Sequence, residues 1–265
     1  MDWDHVVVLA LLQGLTEFLP ISSSAHLVLL PLLADWPDQG LAFDVAVHVG
    51  TLLAVLAYFR AALARIVRDW LESLAVRRPV GESMMAWYLL VATLPVGLCG
   101  LVVSAIGAEG LRSGAVIAGA TIVFALLLWW SDRYGRRNRG EGAIGWRDVA
   151  VIGVAQALAL IPGTSRSGVT ITAGLALGLT REAAARFSFL LSIPVIVLAG
   201  GLEAVRAFAS GAPVAWGAML VAAVIAFACA YATIHLFLEL VERIGLFPFV
   251  VYRLALGVVL LVFVV

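Results

Sequence analysis

The segment Gln13-Gly-Leu-Thr-Glu-Phe-Leu-Pro-Ile-Ser-Ser-Ser-Ala-His26 packs a carboxylate, an amide, three serine hydroxyls beside that of a threonine, and an imidazole into an otherwise apolar stretch. Gln13 and Glu17 stand four apart and so share one face of a helix. Ser22, Ser23, Ser24 and His26 follow at once. Hydroxyls and an imidazole beside a carboxylate supply a nucleophile together with the acid or base that activates it. The structural alternative is a glutamate hydrogen-bonded into a polar helix interface, with His26 as a satisfied interior histidine.

A second segment, Pro162-Gly-Thr-Ser-Arg-Ser-Gly168, carries a different chemistry. Gly163 and Gly168 permit tight turns, and amides opening a following helix point at anions. Arg166 offers a fork of donors suited to phosphate oxygens, and Thr164, Ser165 and Ser167 add hydroxyls. The segment lacks the spacing of a P-loop. Here the alternative is an Arg166–glutamate pair that serves structure alone. Taken together, an anion cradle and a Glu/Ser/His cluster point to phosphoryl transfer, in which positioning and charge stabilisation do most of the work. His48, followed by Gly50 and Thr51, is a candidate to line the same cavity.

The elements that must position these residues are set by composition. The 265 residues are 63% hydrophobic and 13% charged, with mean hydropathy +1.07, well beyond a soluble domain. The net charge is zero, which gives no argument for nucleic acid as a partner. Cys99 and Cys229 match no metal-ligand spacing and read as small core hydrophobes. The N-terminus has no basic region or cleavage site of a signal peptide, so the chain is read as mature.

Six stretches, about 42–59, 86–106, 113–130, 187–203, 214–237 and 246–265, are long and apolar enough to cross a bilayer. Residues 4–31 and 148–179 are apolar too, but each is broken near its middle by a proline and a hydroxyl-rich patch. Such breaks read as re-entrant hairpins, because irregular backbone at membrane depth survives only against protein or a wet cavity.

All 17 basic residues are arginine. Arg60, Arg65, Arg68, Arg77 and Arg78 follow the first span; Arg133, Arg136, Arg137, Arg139 and Arg147 follow the third. Both clusters fall on the cytoplasmic side under the positive-inside rule. Asp2, Asp4, Asp35 and Asp38, with no arginine before position 60, place the N-terminus outside.

The expected fold is therefore an all-α polytopic membrane protein, a single domain of six full spans plus two re-entrant helical hairpins. Its halves, approximately 1–140 and 141–265, form an inverted repeat in which Pro20-Ile-Ser-Ser-Ser-Ala-His lies opposite Pro162-Gly-Thr-Ser-Arg-Ser-Gly. Broken helices of inverted repeats meet near the midplane, so the two patches converge on one site. The same architecture serves transporters, and a lipid-phosphate flippase is the rival reading. His5 and His235 read as interfacial. Phe247-Pro248-Phe249 with Tyr252 and Arg253 reads as an interfacial anchor, Arg253 either snorkelling or pairing with Glu239 or Glu242.

These residues resemble the undecaprenyl diphosphate phosphatases of the BacA/UppP type. Gln13 and Glu17 match that family's first motif, with Gln13 as its uncharged option, and residues 162–168 match the second. FDVAVHVGTLLAV (43–55) and FPFVVYRLALG (247–257) also look like family segments. The resemblance implies dephosphorylation of undecaprenyl diphosphate to recycle the carrier for cell-wall synthesis. It further implies a bacterial inner membrane, a site facing outward, and bacitracin resistance on overproduction. Glu17, Ser23, His26 and Arg166 fall on catalytic positions, with Gln13, Ser22, Ser24, Gly163, Thr164, Ser165, Ser167 and His48 as substrate-binding candidates. Ser23 is favoured as nucleophile, with His26 a competitor. A divalent cation, Mg²⁺ or Ca²⁺, could neutralise the diphosphate, either ligated by the protein or carried in by the substrate. A homodimer is compatible with the sequence.

Overall fold

The computed structural model describes residues 2–34, 36, 40–106, 113–209 and 215–263. Asp35 and Asp38 lie outside the described residues. Eleven α-helices follow one another among those described: α1 Trp3–Thr16, α2 Ser23–Ala34, α3 Leu41–Tyr58, α4 Arg60–Val76, α5 Ser83–Ile106, α6 Gly114–Tyr134, α7 Trp146–Ala157, α8 Arg166–Ala176, α9 Arg181–Ala209, α10 Trp216–Ile244 and α11 Phe247–Phe263. α3, α5, α6, α9 and α10 are long and apolar enough to cross a membrane, whereas α1 and α11 are shorter apolar helices. Their side chains are exposed on many faces, as expected of helices solvated by lipid; Leu98 is 64% exposed and Leu220 67%. Cys99 is exposed on α5 and Cys229 half-buried on α10, so neither is a core residue as expected from the sequence.

The two expected breaks are present. α1 ends at Thr16, and the chain turns through Glu17–Ser22 before α2 starts. α7 runs into a short 3₁₀ turn, Leu158–Leu160, and residues 161–165 bridge to α8. Each first half-helix packs against a long helix far away in sequence, α1 on α10 and α7 on α5. Both contacts depend on small residues: a Cβ on Gly14 would lie 2.7 Å from the Ala226 carbonyl oxygen, and one on Gly153 2.8 Å from that of Ala92.

The two broken segments also share a backbone feature one position away from the pairing of their prolines. Ser22 and Ser165 immediately precede α2 and α8, and both take positive φ, 72° and 69°. With these two residues superposed, one unbroken register matches Trp3 with Trp146, Val6 with Val149, Val8 with Val151, Gln13 with Gln156 and Ser24 with Ser167. Pro162 then stands opposite Leu19 rather than Pro20. Ser23 and Arg166, the opening residues of the second half-helices, become counterparts.

One helix was not foreseen. The arginines after α3, read from the sequence as a charged connection, lie on or just beyond α4, a helix with three distinct faces. Ile66, Asp69 and Ser73 turn inward and are buried. Val67, Leu71 and Leu74 form an exposed apolar stripe, while Arg65, Arg68 and Glu72 make a polar one. A helix of this kind suits a membrane surface.

Candidate active site

The last turn of α1 brings Gln13 and Glu17 to the broken end of the first half-helix, where the Glu17 amide still bonds back to the Gln13 carbonyl (3.0 Å). The Glu17 carboxylate is almost wholly engaged. Its Oε2 accepts from Gln13 Nε2 at 2.9 Å and from Ser23 Oγ at 3.1 Å. Its Oε1 accepts from Arg166 Nη2 at 3.0 Å, joining the two broken helices by a charge pair whose side chains are 9% and 12% exposed. Arg166 is itself aimed by a second bond, Nη1 to the Ser188 carbonyl at 3.0 Å. Its guanidinium lies 6.0 Å from the Phe18 ring centroid, and Phe18 heads an aromatic column through Phe189, Phe237 and Phe249.

His48 enters from α3. Its Nδ1 faces the Asp44 carbonyl at 2.7 Å, an oxygen that only accepts, so Nδ1 carries the hydrogen. In the neutral ring Nε2 is then free to accept from Gln13 Nε2 at 3.3 Å, and it lies 4.0 Å from Glu17 Oε2. One amide thus donates to both Glu17 and His48. The Gln13 Oε1 is buried with no partner.

The loops are tied to each other by backbone bonds. Ser167 Oγ donates to the Leu19 carbonyl at 2.9 Å. Ser165 caps α8 by accepting from the Gly168 amide at 3.1 Å and sits 3.3 Å from Ser167 Oγ; Ser22 and Ser24 repeat that hydroxyl pair at 3.2 Å. Gly163 has φ 91° and lies so close to α6 that a Cβ would collide with the Ile117 carbonyl. The Thr164 hydroxyl is buried without a partner.

The structure therefore brings Gln13, Glu17, Ser23, His48 and Arg166 into one bonded network, framed by Ser22, Ser24, Gly163, Thr164, Ser165 and Ser167. His26 stands apart from this network, because both its ring nitrogens are committed. Nδ1 lies 2.7 Å from the Ser22 carbonyl, and Nε2 lies 2.6 Å from the Tyr252 hydroxyl.

Arg253 takes a role that its sequence neighbours do not specify. It is completely buried, and it pairs with neither Glu239 nor Glu242. Its Nη2 donates to the Gly163 and Thr164 carbonyls (3.0 and 2.9 Å), and its Nη1 reaches the Pro20 carbonyl at 3.4 Å. One guanidinium on α11 thus holds both broken segments. The available signal was an arginine inside an apolar helix, which is costly unless it serves the site. A Cβ on Gly168 would come within 2.7 Å of Arg253 Nη1, so the glycine makes room for the guanidinium.

The family model of bacitracin resistance protein BacA matches residues 6–259. The chain belongs to the BacA family. Among its BacA relatives, an undecaprenyl-diphosphatase of Nitrosococcus oceani is 60% identical over 98% of both chains. Undecaprenyl-diphosphatase 2 of Stutzerimonas stutzeri is 57% identical over 99% of this chain and 98% of its own. An undecaprenyl-diphosphatase of Chromohalobacter salexigens is 54% identical over the full length of both.

Proposed function

We propose that this protein hydrolyses undecaprenyl diphosphate to undecaprenyl phosphate and inorganic phosphate, returning the lipid carrier to cell-wall synthesis. The observation that carries this reading is the Ser23 hydroxyl bonded to a Glu17 carboxylate that is itself charge-paired to Arg166. Ser23 Oγ attacks the terminal phosphorus while Glu17 accepts its proton. The bridging P–O bond breaks, and undecaprenyl phosphate leaves with the electron pair. Arg166 and the opening amides of α2 and α8 stabilise charge on the transferring phosphoryl oxygens. Water then attacks phospho-Ser23 with Glu17 as base, releasing phosphate and restoring the hydroxyl.

A cation at this site would be offered one carboxylate, Glu17, and the unpaired Gln13 Oε1, a single negative charge. Glu17 already accepts from three side chains, and Gln13 offers a neutral oxygen. Mg²⁺ or Ca²⁺ reaches the site, in this reading, on the phosphates of the substrate. The apolar groove lined by Leu15, Leu19, Leu236, Phe237, Leu240 and Phe249 offers a wall for isoprene units.

In the same reading α11 is the sixth span, and α1–α2 and α7–α8 are re-entrant hairpins of an inverted repeat. The arginine-rich connections then face the cytoplasm of a bacterial inner membrane, α4 lies on its surface, and the site opens outward. The cross-packing of α1 on α10 and α7 on α5 supports two exchanged halves.

The test is phosphate release from undecaprenyl and farnesyl diphosphate by purified protein, beside Ser23→Ala and Arg166→Ala. Release lost in both folded variants, with a trapped phosphoenzyme on serine, is the expected result. Label on histidine would overturn Ser23 as nucleophile. Lipid binding without release by wild type would favour a transporter.

A further inference from the structure

We propose that Tyr252 is a positioning residue for this hydrolysis, acting through His26 on the backbone that presents Ser23; the proposal rests on the phosphatase reading above. Ser22 is a non-glycine residue at φ 72°. A serine stays in that region only where its surroundings hold it there. The holding group on its carbonyl is His26, whose Nδ1 lies 2.7 Å away. A carbonyl oxygen only accepts, so Nδ1 carries the hydrogen. In the neutral ring Nε2 is the acceptor, and the Tyr252 hydroxyl, 2.6 Å away, is its donor. The two rings lie nearly parallel, 7° apart with centroids 5.5 Å apart, so α11 fixes the plane of the imidazole as well as its tautomer.

The backbone that carries Tyr252 is anchored beside it. Its chain neighbour Arg253 binds the Pro20, Gly163 and Thr164 carbonyls from the same turn of α11. Two consecutive residues thus grip the first broken segment at two points, Arg253 at Pro20 and Tyr252, through His26, at Ser22. Ser23 is the next residue, and its hydroxyl must keep its bond to Glu17. With Nδ1 on a carbonyl and Nε2 on a phenol, His26 braces the nucleophile's backbone and has no ring nitrogen turned to phosphorus.

Tyr252→Phe keeps the ring stack and deletes only the hydroxyl. With farnesyl diphosphate and protein in lipid nanodiscs, kcat should fall about tenfold to a hundredfold while KM stays within about twofold, the pattern of lost alignment. The ¹⁵N spectrum of His26 should change from one Nδ1-protonated form with a hydrogen-bonded Nε2 to an Nε2 that has lost its donor. Site-specific 3-fluorotyrosine at position 252, which keeps a hydroxyl donor, should restore kcat and move the Nε2 resonance. That protein also carries the test if Tyr252→Phe fails to fold. Wild-type kcat in folded Tyr252→Phe, or an Nε2 resonance indifferent to both substitutions, would overturn the proposal. A wild type that released no phosphate would sink the phosphatase reading instead, leaving the ¹⁵N result to judge the His26–Tyr252 bond.

Discussion

Ser23 and Arg166 occupy equivalent places, each the first residue of the second half-helix in its broken segment. One broken segment supplies a hydroxyl and the other a guanidinium at corresponding positions, and both groups meet on Glu17. The counterpart of Glu17 in the second segment is Leu160, and that of His26 is Val169. A similar pair of segments is therefore filled asymmetrically, with a carboxylate and a hydroxyl on one side and a guanidinium on the other.

The Glu17–Arg166 pair yields the sharpest mutational test. Glu17→Gln keeps the shape and loses the proton acceptor, so phosphate release should fall about a hundredfold or more. Arg166→Lys should fall to a similar degree, because a single ammonium cannot reach both Glu17 and the Ser188 carbonyl in fork geometry. Measuring release at saturating substrate, with monodispersity checked, decides it; near-normal turnover by Arg166→Lys would show that charge alone suffices.

Arg253 should report on architecture. Arg253→Met removes a donor from three carbonyls of both broken segments; the Gly163 oxygen keeps the Thr121 hydroxyl, and leaving the Pro20 and Thr164 oxygens unpaired costs on the order of 1–3 kcal/mol each. The expected outcome is a lower thermal midpoint in detergent together with lost activity. Arg253→Lys should recover part of the stability and little of the activity, because one ammonium spans the three oxygens poorly. An unchanged midpoint in Arg253→Met would mean that water replaces the guanidinium without cost.

Much of this was legible in the sequence for one physical reason. Glu17 and Arg166 are ionisable groups in apolar stretches, so they and the hydroxyls beside them stand out against the background. Arg253 stood out equally, but its partners are backbone carbonyls of Pro20, Gly163 and Thr164, which carry no side-chain signature. His26 was visible as a reactive group, yet its direction depends on Tyr252, more than two hundred residues later. The prolines of the two segments suggest one pairing, whereas the positive φ shared by Ser22 and Ser165 lies one position away from it. α4 was hidden because its arginines dominate a local charge count while its apolar stripe recurs only at helical spacing.

The cap at Ser165 separates backbone strain from hydrogen bonding. Ser165→Ala keeps the strained φ and loses the bond from the Gly168 amide, which should cost about 1 kcal/mol. Ser165→Gly also loses the bond but relieves the conformation, so its thermal midpoint should lie closer to wild type. Equal losses in the two variants would show that the hydroxyl matters and the φ does not.

Acid should loosen the corner between α4 and α5. Asp69 accepts from the Glu82 amide at 2.9 Å and from Arg68 at 3.0 and 2.7 Å. The amide bond and the guanidinium hold its carboxyl below the usual aspartate value, outweighing the opposing effect of burial. Because the folded value is depressed, this contribution is fully present above the ordinary carboxylate range. It fades as pH falls from about 4 through the folded value. Asp69→Asn should lower the midpoint at neutral pH and flatten its fall in acid, read from thermal unfolding at a series of pH values. If the variant retained the full acid dependence of the wild type, the sensitivity would belong to another carboxylate, such as Asp148 in its fork with Arg139.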